Sequence, residues 1–397
     1  MTVMEKAYFG VGCFHFGIKK KAPLIFKIDE WNFELEKFLK SIPTVSEISI
    51  TKPELEEDVE FAEGESIPKL DKLDCFPQSD YSSMRVEFKI YIPFRIQEEI
   101  LQNDIVATAT ENFKVVIVYP FYLPVAFVFP LNTTEEPDPS QSVQLVRVIL
   151  EKENEKSNYI EFEYVGPSPY HADFHIYAKE ETYFNDKINI GSTTKNKLGY
   201  AEVKFFYNTG FYSNAMDAFD DIEYRLADEL SIFYEIVQKT NYINEKWMMV
   251  QDSVKEMVDD FSKRSWFKNR IYSGKDLDNS LIALSHFKMD EIYIVNELKE
   301  IVDKRYTKDH GFVKELTYEE INSIKKFPSS EVGELLGLFE NRRMKRIEAL
   351  IVLLAAILGG SFGSLLTILF SGKSLYVECQ HIVDKNMCHQ LVDKIVL

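Results

Sequence analysis

The sequence predicts an α+β protein with a β-rich N-terminal domain, a long helical or coiled-coil stalk and a single C-terminal transmembrane helix. Short apolar runs separated by turn-forming residues fill residues 1–212, which is typical of strands. Apolar residues at helical spacing begin near residue 213. Residues 349–370 then form a stretch of 22 residues without a charge. Such a stretch is long enough for a helix to cross the roughly 30 Å hydrocarbon layer of a bilayer.

Strand patterns recur through the N-terminal domain. Residues 86–92 alternate apolar and polar side chains, and residues 113–119 are continuously apolar. Further strands are predicted at residues 11–16, 24–28, 143–150, 159–165, 174–178 and 200–207. Strands and helices do not alternate regularly, so an antiparallel sheet or sandwich is expected, and a doubly wound nucleotide fold is not.

Three other stretches complete this domain. Residues 31–39 have helical spacing, and the acidic, proline-containing residues 52–83 predict a long loop. Pro120, Pro124 and Pro130 are expected to keep residues 120–131 out of a central strand, because proline cannot donate a ladder hydrogen bond.

The stalk prediction depends on a continuous seam of apolar residues. Residues 217–263 contain neither Pro nor Gly, which allows a helix roughly 70 Å long at 1.5 Å per residue. Apolar residues follow each other at steps of four and three, with one irregularity of two steps of three near Thr240. They are Leu226, Leu230, Phe233, Val237, Ile243, Trp247, Val250, Val254, Met257 and Phe261. A second helix is predicted over residues 277–306, with Leu281, Leu284, Ile292, Val295, Leu298 and Val302 on its buried side. A final helix begins near Glu331 and has no clear stop before Phe370.

The domain organisation and the membrane topology follow from these patterns. We expect a cytoplasmic domain at residues 1–212, a helical stalk at 213–330, a juxtamembrane and transmembrane helix at 331–371 and an outer tail at 372–397. Lys and Arg in excess mark the cytoplasmic side of a membrane helix. Four basic residues precede the apolar stretch, and Lys373 alone follows it closely; the four are Arg342, Arg343, Lys345 and Arg346. The N-terminus is therefore expected in the cytoplasm and the C-terminus outside, and the basic cluster is also suited to binding anionic lipid.

Small residues lie along one face of the predicted transmembrane helix. This face carries Ala356, Gly360, Gly363, Ser364 and Thr367, and Gly359 with Gly363 forms a G-x-x-x-G pair. Small residues allow helix backbones to approach each other in lipid. The pattern predicts helix–helix association into a homo-oligomer, although the composition of a simple anchor can produce it by chance. Four or more copies would place the hydroxyl groups along a narrow pore without a charged filter.

Charge and cysteine usage limit the function further. The formal charge of −18 argues against a surface for duplex nucleic acid, which needs a basic footprint, but it allows a local site for a small anionic ligand. Cys379 and Cys388 are candidates for a disulfide in the outer tail, with free thiols as the alternative. Their spacing, with His381 and His389, matches no closed zinc pattern, so no metal is predicted.

No stretch carries a recognisable catalytic motif. Residues 170–175 combine tyrosine, histidine and aspartate, but His171 and His175 would lie about 13 Å apart along a strand, too far to share one ion. Ordinary strand residues and the lining of a ligand pocket both remain open for this stretch. Gly10, Gly12 and Gly17 do not form a dinucleotide fingerprint, and no phosphate-binding lysine follows them. The sequence predicts a protein that is not an enzyme and needs no cofactor.

The layout of head, helical stalk and C-terminal membrane helix resembles two kinds of membrane protein. In outline it resembles the cone-shaped CorA magnesium channels, but their Gly-Met-Asn motif and second span are absent. It is more similar to bacterial antiphage effectors of the Hailong type. That resemblance implies an oligomeric, normally closed ion channel in the inner membrane. It also implies a nucleotide or oligonucleotide ligand supplied by a nucleotidyltransferase partner. The rival interpretation is a non-conducting, membrane-tethered sensor or scaffold.

Overall fold

The computed structural model describes most of the chain, with gaps at several loops and at both ends. The described residues are 6–19, 25–51, 60–62, 84–101, 110–120, 123–133, 137–165, 172–179, 187–190, 194–195, 201–263, 269–306, 311–324 and 326–379. They form a mixed sheet and seven helices without a regular alternation of strand and helix, which confirms the α+β class.

The strands all belong to the N-terminal half of the chain. They are β1 (Lys6–Ile18), β2 (Ile25–Lys27), β3 (Val45–Thr51), β4 (Glu60–Ala62), β5 (Arg85–Tyr91), β6 (Asn112–Val118), β7 (Val125–Pro130), β8 (Ile160–Val165), β9 (Ala172–Lys179), β10 (Ile188–Ile190), β11 (Thr194–Lys195) and β12 (Ala201–Asn208). The main sheet has the order β10-β12-β9-β1-β7-β6-β5-β3, with β11 beside β12 and β8 beside β1. Its described pairs are antiparallel except β9 with β12, so the predicted antiparallel sheet is confirmed apart from that pair.

Three of the helices after the sheet are much longer than the others. They are α1 (Ile28–Ser41), α2 (Phe94–Leu101), α3 (Pro139–Asn154), α4 (Ala215–Lys263), α5 (Asn269–Arg305), α6 (Lys314–Ser323) and α7 (Ser329–Cys379). The predicted long helices correspond to α4, α5 and α7. The helix α7 contains 51 residues and includes the whole of the apolar stretch.

The chain divides into two compact units. The first comprises residues 1–248 and 289–326, and the second comprises residues 249–288 and 327–397. Both α4 and α5 contribute residues to each unit. The predicted domain boundaries stay predictions.

Long strand β1 forms the centre of the first unit because its side chains alternate between two hydrophobic cores. Phe14 and Phe16 pack on one face of the sheet, in a core that includes side chains of α1 and α3. Phe9 and Val11 pack on the other face, in a core that includes α4 from Ala215 to Tyr234. The seam predicted on α4 is therefore buried against the sheet over its first half, and Leu226 and Leu230 are fully buried there.

Two glycines of β1 allow α3 to lie unusually close to the sheet. A Cβ atom added at Gly10 would meet the Pro139 carbonyl oxygen and carbon of α3, and one at Gly12 would lie 2.8 Å from Val143 Cγ1. Side chains at these positions would force the helix away from the strand. The Gly10-Val11-Gly12 sequence thus serves helix–sheet packing.

Two predictions for the first unit are wrong. Residues 143–150 are helical in α3, where Val143, Val146 and Leu150 share one buried face at steps of three and four. Residues 125–130 form β7, a central strand between β1 and β6 in which every residue is buried. Pro130 is tolerated because it is the last residue of that strand.

The long helices show one further difference from the predicted pattern. On α5, Ile294 and Leu298 are buried, but Ile292 is exposed and does not belong to the buried side. In the part of the chain that the structure describes, no helix combines the length and the apolar character needed to cross a bilayer. The predicted transmembrane helix is therefore not supported by the fold itself.

Candidate functional site

Helix α7 begins as a packed helix of the second unit. It follows Pro328, whose carbonyl oxygen accepts a hydrogen bond from Val332 N at 3.1 Å. Leu336 is completely buried, and a Cβ atom at Gly333 would meet Leu284 and the Lys288 amino group at ordinary contact distance. Arg343 then donates a hydrogen bond to the Asp278 carboxylate at 2.7 Å. These contacts fix the first four turns of α7 on α5.

The character of α7 changes after Arg343. All residues from 344 to 362 are exposed, and so is Leu366. Leu353 is 61% exposed and Phe362 is 69% exposed, although both side chains are strongly apolar. Exposed apolar residues occur on every side of the helix: Leu350, Ile351, Val352, Leu353, Leu354, Ile357, Leu358 and Phe362. A helix that is apolar all round is normally buried in a core or in lipid.

The predicted small-residue face lies on this exposed part of α7. Ala356, Gly359 and Gly360 are exposed, and a Cβ atom added at either glycine would meet no atom within 4 Å. Gly363, Ser364 and Thr367 also belong to α7, but their side chains lie outside the described residues. A side chain added at Gly359 or Gly360 would therefore enter open space in the single chain.

The basic cluster lies directly before the apolar segment. Arg342, Lys345 and Arg346 are exposed, whereas Arg343 is half-buried in its ion pair with Asp278. Three of the four predicted cationic residues are thus placed at the surface, one turn from the first apolar residues. This arrangement leaves their charges accessible to phosphate groups of lipids.

The cysteines fall into two groups. Cys379 is the last residue of α7, but its side chain and the whole of Cys388 lie outside the described residues, so the disulfide stays a prediction. Cys13 is buried in the first unit, and burial raises the pKa of its thiol far above the usual range. A thiol of this kind is unreactive.

A buried ion cluster, which the sequence analysis missed, joins α4 and α5 within the first unit. The Lys239 ammonium lies 3.1 Å from Glu235 and 2.6 Å from Glu297, and its side chain is only 5% exposed. Burial raises the pKa of Glu235, and the neighbouring Lys239 opposes that rise. Glu235 and Lys239 are four residues apart, a spacing usually found on exposed helix faces, so nothing in the sequence indicates that the pair is buried.

The stretch at residues 170–175 lies partly in β9 and partly outside the described residues. His171 lies outside the described residues. Asp173 Oδ1 accepts a hydrogen bond from Ser140 N at 2.8 Å, at the start of α3, and burial raises its pKa. His175 is buried between the rings of Tyr8 and Tyr177. Among the described residues, no group of three or more side chains is arranged to hold a metal ion.

No known protein family, no curated protein and no solved structure matches this chain. The functional argument therefore depends on the residues themselves. Of the described features, the exposed apolar part of α7 is the one that most needs a partner, because water is a poor solvent for such a surface.

Proposed function

We propose that this protein is an oligomeric membrane effector in which copies of α7 associate in the bilayer and form a gated ion channel. The exposed, all-round apolar surface of α7 supports this proposal more than any other observation. The apolar sequence continues to Phe370, so residues 349–370, called the apolar segment below, are long enough to cross the hydrocarbon layer as a helix.

A lipid environment would remove the free-energy cost of exposing the apolar segment to water. Leaving apolar surface in water costs roughly 25 cal/mol for each Å², so eight large exposed side chains represent a substantial penalty. In lipid this penalty disappears, and the basic residues Arg342, Lys345 and Arg346 would lie at the headgroups of the cytoplasmic leaflet. The first unit would then lie in the cytoplasm and the C-terminal tail outside.

The small residues support association beyond anchoring. Gly359 and Gly360 have open space around them in the single chain, so a neighbouring helix has room to approach the backbone there. In a tetramer or larger ring, Ser364 and Thr367 would contribute hydroxyl groups to a narrow pore. Because α7 is one continuous helix, movement of its packed N-terminal turns would be transmitted directly to the pore.

The biological setting follows from the resemblance of the layout to Hailong-type effectors. The channel would remain closed until infection, and a nucleotide-type ligand made by a nucleotidyltransferase partner would control it. Opening would depolarise the infected cell. The chain would act without enzymatic turnover of its own.

Ion flux into liposomes tests the channel directly. Gly360→Leu should abolish flux, because a large side chain fills the small-residue face, while the thermal unfolding of the first unit stays unchanged. Leu358→Phe is the matched control, since it also enlarges an exposed side chain but Leu358 lies on the opposite side of α7 from Gly360. Equal flux in wild type and Gly360→Leu would exclude a pore along this face and would favour the tethered scaffold.

A further inference from the structure

The first turns of α7 have an exposed side as well as a packed one. Gly333 and Arg343 contact α5, and Leu336 is completely buried. Leu335 and Leu338 are 40% and 61% exposed. At 3.6 residues per turn, these two leucines and Arg342 lie on average about 140° around the helix from the packed residues. We call the side of α7 that carries Leu335, Leu338 and Arg342 the outer side.

The outer side continues into the small-residue face of the apolar segment. Because α7 is one helix of 51 residues, its helical phase can be followed along its length. Ala349, Ala356 and Gly360 all lie within about 40° of Arg342 around the helix axis. All three are exposed in the single chain. A neighbouring copy of α7 that contacts the small-residue face would therefore also face Leu338 and Arg342.

Arg342 lies on the outer side between the exposed leucines and the apolar segment. It is exposed, and so is Lys345, which lies about 60° from it around the helix. Arg343, by contrast, points to α5 and pairs with Asp278. Among the described residues, neither Arg342 nor Lys345 has an ion-pair partner. Their charges are therefore available to a ligand or an ion.

The acidic residues of α7 leave this positive charge in place. Glu331 also lies on the outer side, but its position eleven residues earlier puts it about 16 Å along the axis from Arg342. That distance exceeds the Debye length of about 8 Å at physiological ionic strength. Glu340 and Glu348 are nearer along the axis, but they lie about 160° and 120° around the helix from Arg342. The outer side is thus cationic at this level.

An assembly of several copies would collect these cations around one axis. Guanidinium groups do not pack together in a dry contact, because an unpaired buried charge costs several kcal/mol. They are stable at a wet opening, where water and anions reach them. Rings of arginine or lysine are the usual means by which a pore selects anions.

The distance along α7 places such a ring at the entrance of the pore. Arg342 precedes Ala349 by seven residues, which corresponds to about 10 Å of helix. This is the depth of the lipid headgroups on the cytoplasmic side. Residues 349–370 contain no charge, so the charge at the entrance would decide which ions reach the hydroxyl groups of Ser364 and Thr367.

We propose that Arg342 and Lys345 line the cytoplasmic mouth of the channel and make it selective for small anions such as chloride. The inference rests on the proposed function, because a single copy supplies only one arginine and one lysine and the mouth is incomplete without other copies. It adds the class of ion, which hydroxyl groups alone do not determine.

Reversal potentials in planar bilayers under a potassium chloride gradient test the selectivity. For the full-length wild-type protein, we expect chloride to permeate at least about fivefold more readily than potassium. Arg342→Gln/Lys345→Gln should bring this ratio close to one, and Arg342→Glu/Lys345→Glu should reverse the preference. Arg343 and Arg346 stay in both variants and preserve the excess of positive charge that sets the orientation. A wild-type preference for potassium, or an unchanged ratio in the variants, would overturn the proposal.

A matched control separates the mouth from the general surface charge. Lys255 is an exposed cation on α4 in the second unit. Lys255→Gln removes the same type of charge and should keep the wild-type permeability ratio. A shift in this control as large as that in Arg342→Gln/Lys345→Gln would mean that net charge sets the preference, and it would overturn the assignment to the mouth.

Cysteine cross-linking in liposomes tests the placement of Arg342 without any current. With Cys75, Cys379 and Cys388 replaced by serine, the remaining Cys13 is buried and unreactive. In that background, Arg342→Cys should form covalent dimers with a short bis-maleimide reagent. Met344→Cys is the control, because Met344 is exposed but lies about 160° from Arg342 around the helix. Equal cross-linking at both positions, or none at Arg342→Cys, would refute the mouth and leave lipid as the contact of the basic residues.

The outcomes separate this inference from the channel proposal. Currents that prefer potassium, together with absent cross-links at Arg342→Cys, would refute the selectivity and leave the channel in place. A protein that conducts no ions would refute the channel and the anion selectivity with it. In that case, cross-links at Arg342→Cys would still identify the outer side as a contact between copies.

Discussion

The Arg343 guanidinium donates a hydrogen bond to Asp278 at 2.7 Å, and this pair joins α7 to α5 immediately before α7 becomes exposed. Both residues are partly exposed, so the pair contributes at most about 1 kcal/mol to stability. The position of the pair on α7 matters more than its contribution to stability. Among the contacts between α7 and α5 described above, this pair is the nearest to the apolar segment.

Breaking this pair should loosen α7 locally without unfolding the protein. We expect Asp278→Ala to lower the unfolding free energy by about 1 kcal/mol or less. Amide hydrogen exchange should increase in residues 336–346 and stay unchanged in the main sheet. Exchange that rises equally in the sheet would contradict a local role. Lys345→Ala, which removes an exposed charge two residues later, is the matched control.

Loss of the buried lysine should be much more costly than loss of its buried partner. In Lys239→Ala, Glu235 stays buried without its cation, and breaking such a pair costs about 3–5 kcal/mol. In Glu235→Gln, Lys239 keeps Glu297 at 2.6 Å, so we expect a change below about 1 kcal/mol. Urea unfolding measures both values. If both variants lost the same unfolding free energy, Glu235 would be solvated and would not need Lys239 as its cation.

The same pair should also give a pH dependence of known sign. Burial raises the pKa of Glu235, so the native state binds its proton more tightly than the unfolded chain does. The unfolding free energy therefore decreases as pH rises from the ordinary carboxyl pKa to the raised one. Without Lys239, which opposes the rise, this pKa increases further. We expect the loss in Lys239→Ala to be smaller at about pH 5 than at about pH 7, because protonation neutralises the buried carboxylate. A loss that grows on acidification would contradict this account.

Two glycine substitutions should have opposite effects. A Cβ atom at Gly10 would overlap the Pro139 backbone, so Gly10→Ala should destabilise the first unit by about 2–4 kcal/mol. Gly337 lies within α7, and a Cβ there would meet nothing within 4 Å. Gly337→Ala should therefore stabilise α7 by up to about 1 kcal/mol through helix propensity. Thermal unfolding measures both changes, and a destabilised Gly337→Ala would show that an oligomer contact uses this glycine.

The hydrogen bond from Ser140 N to Asp173 should stabilise the start of α3 as an N-cap does, although Asp173 belongs to strand β9. Asp138, at the N-cap position, makes no side-chain capping hydrogen bond, whereas Asp173 accepts from Ser140 N. Asp173→Ala should cost about 1 kcal/mol, as losses of N-caps usually do. Asp138→Ala is the matched control and should cost less. A larger effect of Asp138→Ala in urea unfolding would contradict the assignment of the cap.

The sequence predicted the long helices well because their signals are local. The helix at residues 217–263 was recognisable from unbroken spacing without Pro or Gly, and the structure places α4 at Ala215–Lys263. Short elements were less certain. Residues 143–150 are apolar and β-branched, so they resemble a strand, although Pro139 at the first turn of α3 was a usable helix signal. The prolines around β7 suggested an edge strand, but they lie at its ends, where they interrupt no ladder.

Some features of the structure depend on contacts between residues that are distant in sequence, so the sequence alone does not show them. Lys6, Tyr177 and Phe206, for example, become neighbours only through the strand register. The Lys239 cluster likewise needs Glu297 from another helix. By contrast, the apolar segment and the basic cluster are contiguous in sequence and could be located without a structure.

Replacing the apolar segment with a featureless poly-leucine helix tests the central claim most directly. A poly-leucine helix keeps the length and apolar character of residues 349–370 but removes the small residues. In planar bilayers, the account predicts stepwise currents for the wild-type protein and none for the replaced protein, although both insert. Equal currents from the two proteins, or a wild-type protein that is monomeric and soluble without detergent, would contradict it.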